Sequence, residues 1–419
     1  MAVFYGWWIV LACFIVAFYM AGTVFYSFTA FVEPFAAEFG WSYTQISFAF
    51  SLRGLEMGIF APLIGVFIDR FGSRIVMMVG AIIVGSGMLL LSMTQSLMMF
   101  YGAFLLLGLG AGGCTSIVVM TSVAHWFDKK ASFALGLAAA GFGSGGLLVP
   151  VVVWMIETYQ WRTTLVILGI AAWVIGIPLS LVVRGKPAQY GLLPDGGRID
   201  TGDSGPMGSK ESFDGDARVP PPMNVTLREA TRDSNFWFFN VAEAIRMMIV
   251  VSIIMHIMPY LDSLGVSRGT SGLAAGGMAI FSVAGRIGFG YFGDAFEKRH
   301  VLAVAYVLMS LGLVAFSNLT NGLWSLVVFL MLFAPGFGGA MTMRAALIRE
   351  YFGTLAYGKI MGLSMGIGST AAIIGPTLAG WTFDTTGSYR PLWMSYIGMS
   401  LVATWLLLKI KPLVRKEIS

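Results

Sequence analysis

Few charged side chains interrupt the apolar stretches of this chain, and those few are where chemistry can reside. Arg286 stands eight residues before Asp294, about 12 Å along a helix, too deep for its guanidinium to reach an interface easily. A planar guanidinium takes a carboxylate through two parallel hydrogen bonds. Arg286 therefore reads as an anion anchor, or as one end of an interhelical salt bridge to Glu243 or Glu56. Arg53 and Glu56, and Glu243 and Arg246, are each spaced i,i+3 and can neutralise one another along a helix face. Glu56 and Glu243 are equally candidates for carrying a coupled proton, because a carboxyl group in a low-dielectric cavity readily holds one. His256 is a further proton candidate, or a hydrogen-bonded structural group beside Met255, Met258 and Pro259. Tyr19, Thr23 and Tyr26 recur at the spacing of one broad helix face and read either as polar lining of a substrate cavity or as packing. Arg344, near the end of its apolar stretch, is expected to snorkel and to serve a structural or gating role.

Other chemistry lacks its parts. The three histidines, His125, His256 and His300, are scattered. No nucleophile with its base and no set of metal ligands can be assembled, so an enzyme, a metal site and a cofactor are not expected. Cys13 and Cys114 both fall in apolar stretches and are expected to be packing residues. The clusters Gly108-Gly110-Gly112-Gly113 and Gly141-Gly143-Gly145-Gly146 lie in apolar segments without a following Lys-Ser/Thr. They read as helix-packing surfaces rather than nucleotide loops.

The elements that must position these residues follow from composition. With 57% hydrophobic and 11% charged residues, and a mean hydropathy of +0.80, the chain cannot cover a soluble globule with polar surface. A crossing needs about 20 apolar residues, and twelve such stretches are present: 6–31, 44–68, 75–94, 97–122, 132–156, 163–183, 235–261, 269–293, 300–318, 322–348, 359–383 and 390–409. They are continuously apolar rather than alternating, which predicts an all-α membrane protein and excludes a β-barrel. The first stretch lacks a basic leader and is too long for a signal-peptide core, so it is expected to be retained. The net charge of +5 is an orientation device rather than a nucleic-acid footprint. Arg70, Arg74, Lys129, Lys130, Lys298, Arg299, Arg349, Lys359, the seven basic residues from Arg184 to Arg232 and the basic tail all fall on one side, against Arg162, Arg268 and Arg390 on the other. Basic residues sort to the cytoplasm. This places both termini inside and the protein in the inner, cytoplasmic membrane.

Residues 184–233 break the rhythm with Gly, Asp, Pro and Ser and read as a cytoplasmic linker between an N-terminal six-helix bundle, 1–183, and a C-terminal one, 234–419. The two bundles share one plan displaced by about 226 residues. Gly112-Gly113, Trp126-Phe127, Gly136-Leu137 and Pro150 are echoed by Gly338-Gly339, Tyr351-Phe352, Gly362-Leu363 and Pro376, and Asp69 by Asp294. Such a repeat implies two bundles about an axis along the membrane normal, with a site and a central cavity between them.

The stretch Gly65-Val66-Phe67-Ile68-Asp69-Arg70-Phe71-Gly72-Ser73-Arg74 resembles the G-x-x-x-D-R-x-G-x-R loop of the major facilitator superfamily. Physically, Gly65 admits a neighbouring helix, while Asp69, Arg70, Arg74 and the echo Asp294 can lock the two bundles together as a cytoplasmic gate; the alternative reading is plain positive-inside charge. Tyr5-Gly6-Trp7-Trp8, Trp126-Phe127-Asp128-Lys129-Lys130, Gly141-Phe142-Gly143-Ser144-Gly145 and Gly285-Arg286 together resemble the monocarboxylate transporters and oxalate/formate antiporters. In that group a helix-8 arginine binds the substrate carboxylate, and Arg286 matches it. The antiporters' helix-11 lysine has no counterpart in 361–370. Ser282 stands where the animal monocarboxylate transporters carry an acid, and helix 1 lacks their lysine. The resemblance thus implies an anion anchor without supplying the proton-coupling residues. The expected function is proton-coupled symport of a small monocarboxylate such as lactate or pyruvate by a monomer. An anion exchanger or an efflux carrier is the alternative, and a membrane enzyme or a non-transporting sensor is disfavoured.

Overall fold

The computed structural model describes residues 4–41, 43–114, 116–196, 225–319 and 324–411. Within them the chain is predominantly helical, with short turns and loops between the helices. The first crossing comprises α1 (Tyr5–Met20), a π-helical segment (Ala21–Tyr26) and α2 (Phe28–Phe39). It runs past residue 31, where the apolar pattern ends, because Pro34 is accommodated inside α2. Then come α3 (Tyr43–Phe71), α4 (Ser73–Ser92), α5 (Leu97–Gly112), α6 (Ser116–Ala124), α7 (Ala131–Ser144) and α8 (Val149–Val182). After the short α9 (Leu227–Ala230) follow α10 (Ser234–Ser263), α11 (Arg268–Ala295), α12 (Lys298–Ser317), α13 (Trp324–Phe352), α14 (Tyr357–Thr386) and α15 (Arg390–Lys409).

Ten of the described helical runs are long and apolar enough to cross a membrane. One of them, Ala131–Val182, has 52 residues, about 78 Å of helix and far more than one bilayer's thickness. It reverses at Gln160, which adopts φ 66° and ψ 159°, so it makes two crossings. With α3, 29 residues long, the number of crossings matches the twelve apolar stretches. Side chains at 50–59 of α3, Arg53 and Glu56 included, lie outside the described residues.

The apolar faces pack into two hydrophobic clusters, one spanning both halves of the chain and one confined to the second half, and the helices before and after the linker meet along two seams, α3 against α14 and α7 against α11. Both seams depend on missing side chains. A Cβ at Gly65 would strike the Gly358 carbonyl, and one at Gly136 the carbonyl of Arg286. A Cβ at Gly290 would lie 2.8 Å from the Ser132 carbonyl. Dispersion and carbonyl dipoles at such close approach hold helices together where lipid gives no hydrophobic drive. Gly146, Gly272 and Gly276 meet nothing within 4 Å, so the close contacts of the α7/α11 seam lie toward the end that carries Asp294.

At that end the aromatic residues singled out in the sequence pack on one another: Trp7 on Phe127, with centroids 4.8 Å apart, and Tyr5 on Trp126 at 5.5 Å. The Trp126 indole donates to the Gly185 carbonyl (2.7 Å), and the Arg184 guanidinium lies 4.0 Å from the Tyr5 ring. This part of the resemblance to carboxylate carriers is a structural clasp.

Candidate functional site

The two motif aspartates hold the ends of the seams, though by another interaction than expected. Asp294, at the end of α11, accepts hydrogen bonds from the backbone N–H groups of Ser132 (2.7 Å) and Phe133 (2.9 Å), which open α7. Asp69, at the end of α3, accepts from the Lys359 N–H (3.2 Å) at the start of α14. Each carboxylate therefore caps a helix of the opposite bundle, satisfying amides that a helix start leaves unpaired and meeting the positive end of its dipole. The expected arginine lock is corrected: Arg70 and Arg74 are exposed and neither forms an ion pair among the described residues, Arg70 lying 5.3 Å from the Phe71 ring. At this end the basic residue that bridges the bundles is Arg349. It donates to the Ala124 carbonyl (2.6 Å) and pairs with Asp128 (3.2 Å). Beside it the His125 Nε2 meets the Thr354 carbonyl at 3.3 Å, and burial pushes that imidazole down to about 4. Asp195 in turn accepts from the N–H groups of Asp128 (3.0 Å) and Lys129 (2.6 Å), tying the start of the linker to the same loop.

These caps predict a measurable effect. Loss of an N-cap acceptor costs about 1 kcal/mol, a factor of about five in an equilibrium. Asp69→Ala and Asp294→Ala should each raise by about that factor the maleimide reactivity of a cysteine placed at Ser132, which is buried in the seam. The double variant should show roughly the product. Native Cys13 and Cys114 are buried and contribute little background.

Arg286 sits in the middle of the α7/α11 seam, 3% exposed. Its Nη1 donates to the Ala139 carbonyl of α7 at 2.7 Å, and its guanidinium carbon lies 5.9 Å from the Phe337 ring of α13. Its own carbonyl accepts from the Thr342 hydroxyl (3.3 Å). Nε has no hydrogen-bond partner, and among the described residues no carboxylate lies within ion-pair distance. Tyr26 and Arg246 act on it electrostatically. A buried guanidinium held by one neutral carbonyl has donor capacity to spare.

Glu243, by contrast, is saturated. Its carboxylate accepts from Arg246 Nε (2.8 Å) and Nη2 (2.5 Å), from Arg344 Nη1 (2.9 Å) and from the Tyr306 hydroxyl (3.3 Å), and all four residues are buried. Arg344 thus does not snorkel: α13 turns it inward onto α10, with 2% exposure. The triad carries one positive charge more than negative, and Arg246 Nη1 and Arg344 Nε are unpaired.

The remaining candidates are dispersed. The Tyr19 hydroxyl donates to the Leu168 carbonyl of α8 and Thr23 to the Tyr19 carbonyl (2.8 Å). Both are buried within the first bundle, and Thr23 borders a small apolar recess with Phe28, Phe104 and Leu165. Tyr26 closes the π-helical segment, a local widening that is common at functional sites and that no apolar periodicity reveals. His256 meets the Tyr389 hydroxyl (3.3 Å) and the Pro376 carbonyl (3.1 Å), so both ring nitrogens have partners inside the second bundle. Glu56 lies outside the described residues.

Two sets of membrane helices joined along glycine seams, with a buried cation at the seam, define a polytopic helical carrier. The chain belongs to the Major Facilitator Superfamily, whose family profile matches residues 11–258 and 244–419. It is 26% identical to monocarboxylate transporter 12 of Rattus norvegicus, over 98% of this chain and 86% of that protein. It is also 26% identical to the uncharacterized MFS-type transporter YcxA of Bacillus subtilis, over 94% and 93%. Among solved structures it resembles the proton:xylose symporter XylE, with a TM-score of 0.72 at 14% identity over 97% of this chain and 96% of that one. It is therefore an integral membrane transporter of small molecules rather than an enzyme.

Proposed function

We propose that this chain is a monomeric secondary carrier of small organic anions, moving a monocarboxylate such as lactate or pyruvate together with a proton by alternating access. Its basic end faces the cytoplasm of the inner membrane, with the six-helix bundles 1–183 and 234–419 rocking about the linker 184–233. The observation that carries this reading is Arg286, a buried guanidinium without an acidic partner among the described residues, whose Nε is free to donate. One such cation matches one carboxylate. The name of the rat relative supports the same substrate class. Tyr26, which acts electrostatically on Arg286, is a candidate for a further polar contact. Proton coupling is assigned to Glu56 or His256 rather than to Glu243, whose charge is taken up by two arginines.

Uptake of labelled lactate and pyruvate into proteoliposomes, with and without an inward proton gradient, tests the reading. Gradient-driven uptake that disappears in Arg286→Ala is the expected result. No uptake of either acid by folded protein would sink it. A second reading, exchange involving a doubly charged organic anion, is favoured by the surplus positive charge of Arg246 and Arg344; oxalate uptake only against a preloaded anion would select it.

A further inference from the structure

We infer that Gly143 is a positioning residue for the anion anchor: with the Ala139 carbonyl it lets α7 of one bundle set which edge of Arg286, on the other bundle, meets the substrate, so that anion affinity depends on whether the α7/α11 seam is closed. The inference rests on the assignment of Arg286 as anchor. A guanidinium offers a carboxylate two kinds of paired edge. The end-on edge uses both terminal nitrogens, and the side-on edge uses Nε and the terminal nitrogen nearest it. Here Nη1 donates to the Ala139 carbonyl at 2.7 Å, while Nε has no partner and Nη2 makes no hydrogen bond among the described residues. The carbonyl thus fixes the orientation of the guanidinium and leaves Nε, on the side-on edge, to donate to a bidentate anion. A long side chain fixed in advance loses less rotamer freedom on binding.

The space for this arrangement comes from Gly143, one turn beyond Ala139. A Cβ at that position would lie 2.7 Å from Arg286 Nη1 and 2.6 Å from Val283 Cγ2. Both neighbours are side-chain ends on α11, so an alanine would be accommodated by moving the guanidinium and the valine methyl rather than the backbone. Gly136 differs: its Cβ would meet the backbone carbonyl of Arg286, so it serves helix packing alone. Because Ala139 and Gly143 belong to one bundle and Arg286 to the other, parting the seam at its basic end withdraws the carbonyl and frees the guanidinium to swing. The anion is then held tightly while the seam is shut and released when it opens. By linkage, a bound anion favours the shut seam to the same degree.

The test compares half-saturation concentrations for lactate and pyruvate from the two faces, in oriented membrane vesicles of either sidedness. In the wild type the value should be lower at the face opposite the basic end. Gly143→Ala should raise that value about tenfold with little change in maximal rate, and leave the value at the basic face nearly unchanged, erasing the asymmetry. The double variant Gly143→Ala/Val283→Ala, which relieves the valine contact, should keep the effect, and in an Arg286→Lys background Gly143→Ala should add nothing. Rescue by Val283→Ala, or a fall in maximal rate alone, would overturn the inference and make Gly143 a packing residue. Loss of uptake in Arg286→Lys with no change in Gly143→Ala would also overturn it while sparing the anchor. A wild type that takes up neither anion would remove the anchor and the inference together.

Discussion

Replacing Arg286 by lysine is expected to lower monocarboxylate uptake by roughly 100-fold, although the charge is kept and the protein still reaches the membrane. A hydrogen bond to a charged group contributes about 1.5–3 kcal/mol. Lysine offers a point charge in place of a planar fork, so one of the two parallel bonds is lost along with the Ala139 contact that orients the group. At 1.4 kcal/mol per factor of ten, that loss spans about 10- to 150-fold. Initial uptake rates normalised to protein folded by size-exclusion chromatography measure it. Uptake within twofold of the wild type would remove Arg286 from the site and return it to a purely structural bond across the seam.

Glu243→Gln is expected to be a folding variant before it is a transport variant. The carboxylate accepts from two arginines and a tyrosine in a fully buried setting. Removing its charge leaves Arg246 and Arg344 facing one another without compensation. Breaking a buried pair in this way costs roughly 3–5 kcal/mol, enough to lower the thermal midpoint of detergent-solubilised protein sharply and reduce its yield. A proton-coupling carboxylate behaves otherwise: its amide variant folds normally, exchanges anions and loses only the response to a proton gradient. A Glu243→Gln protein of unchanged thermal midpoint with uncoupled exchange would therefore make Glu243 the proton carrier. Restoring stability by also changing Arg344 to a neutral residue of similar volume, such as methionine, would confirm the structural role.

The helices were legible because lipid imposes one rule on every crossing, and observed spans agree with the apolar stretches to within a few residues outside the first. What depends on rotation between helices was not legible. Arg344 lies about one turn before the end of the apolar stretch 322–348, a depth from which snorkelling is the natural expectation; only the facing of α13 toward α10 puts it on Glu243. The aspartates of the repeat stood out as Asp69 and Asp294, but their partners are backbone amides at the starts of α14 and α7. No side chain advertises these in the sequence, so the nearby arginines took the role by default. Tyr19 and Thr23 share a face on the helical wheel, yet that face turns into the first bundle. The single bond between Arg286 and the Ala139 carbonyl was invisible for the same reason: any residue type carries a carbonyl. Gly143 had a signal of its own, a glycine in a cluster, but nothing in the cluster distinguished packing from making room for a guanidinium.

The reciprocal capping of α7 by Asp294 and of α14 by Asp69 makes the closed end a bivalent contact. Each bundle contributes one carboxylate and one set of amides. When one clasp lets go, the other keeps its two groups at high effective concentration, and the first re-forms by an intramolecular step far faster than the bundles can part. Opening thus requires both clasps to be absent at once. If this end opens during transport, two modest contacts are expected to behave as a single latch, with half-open states scarcely populated.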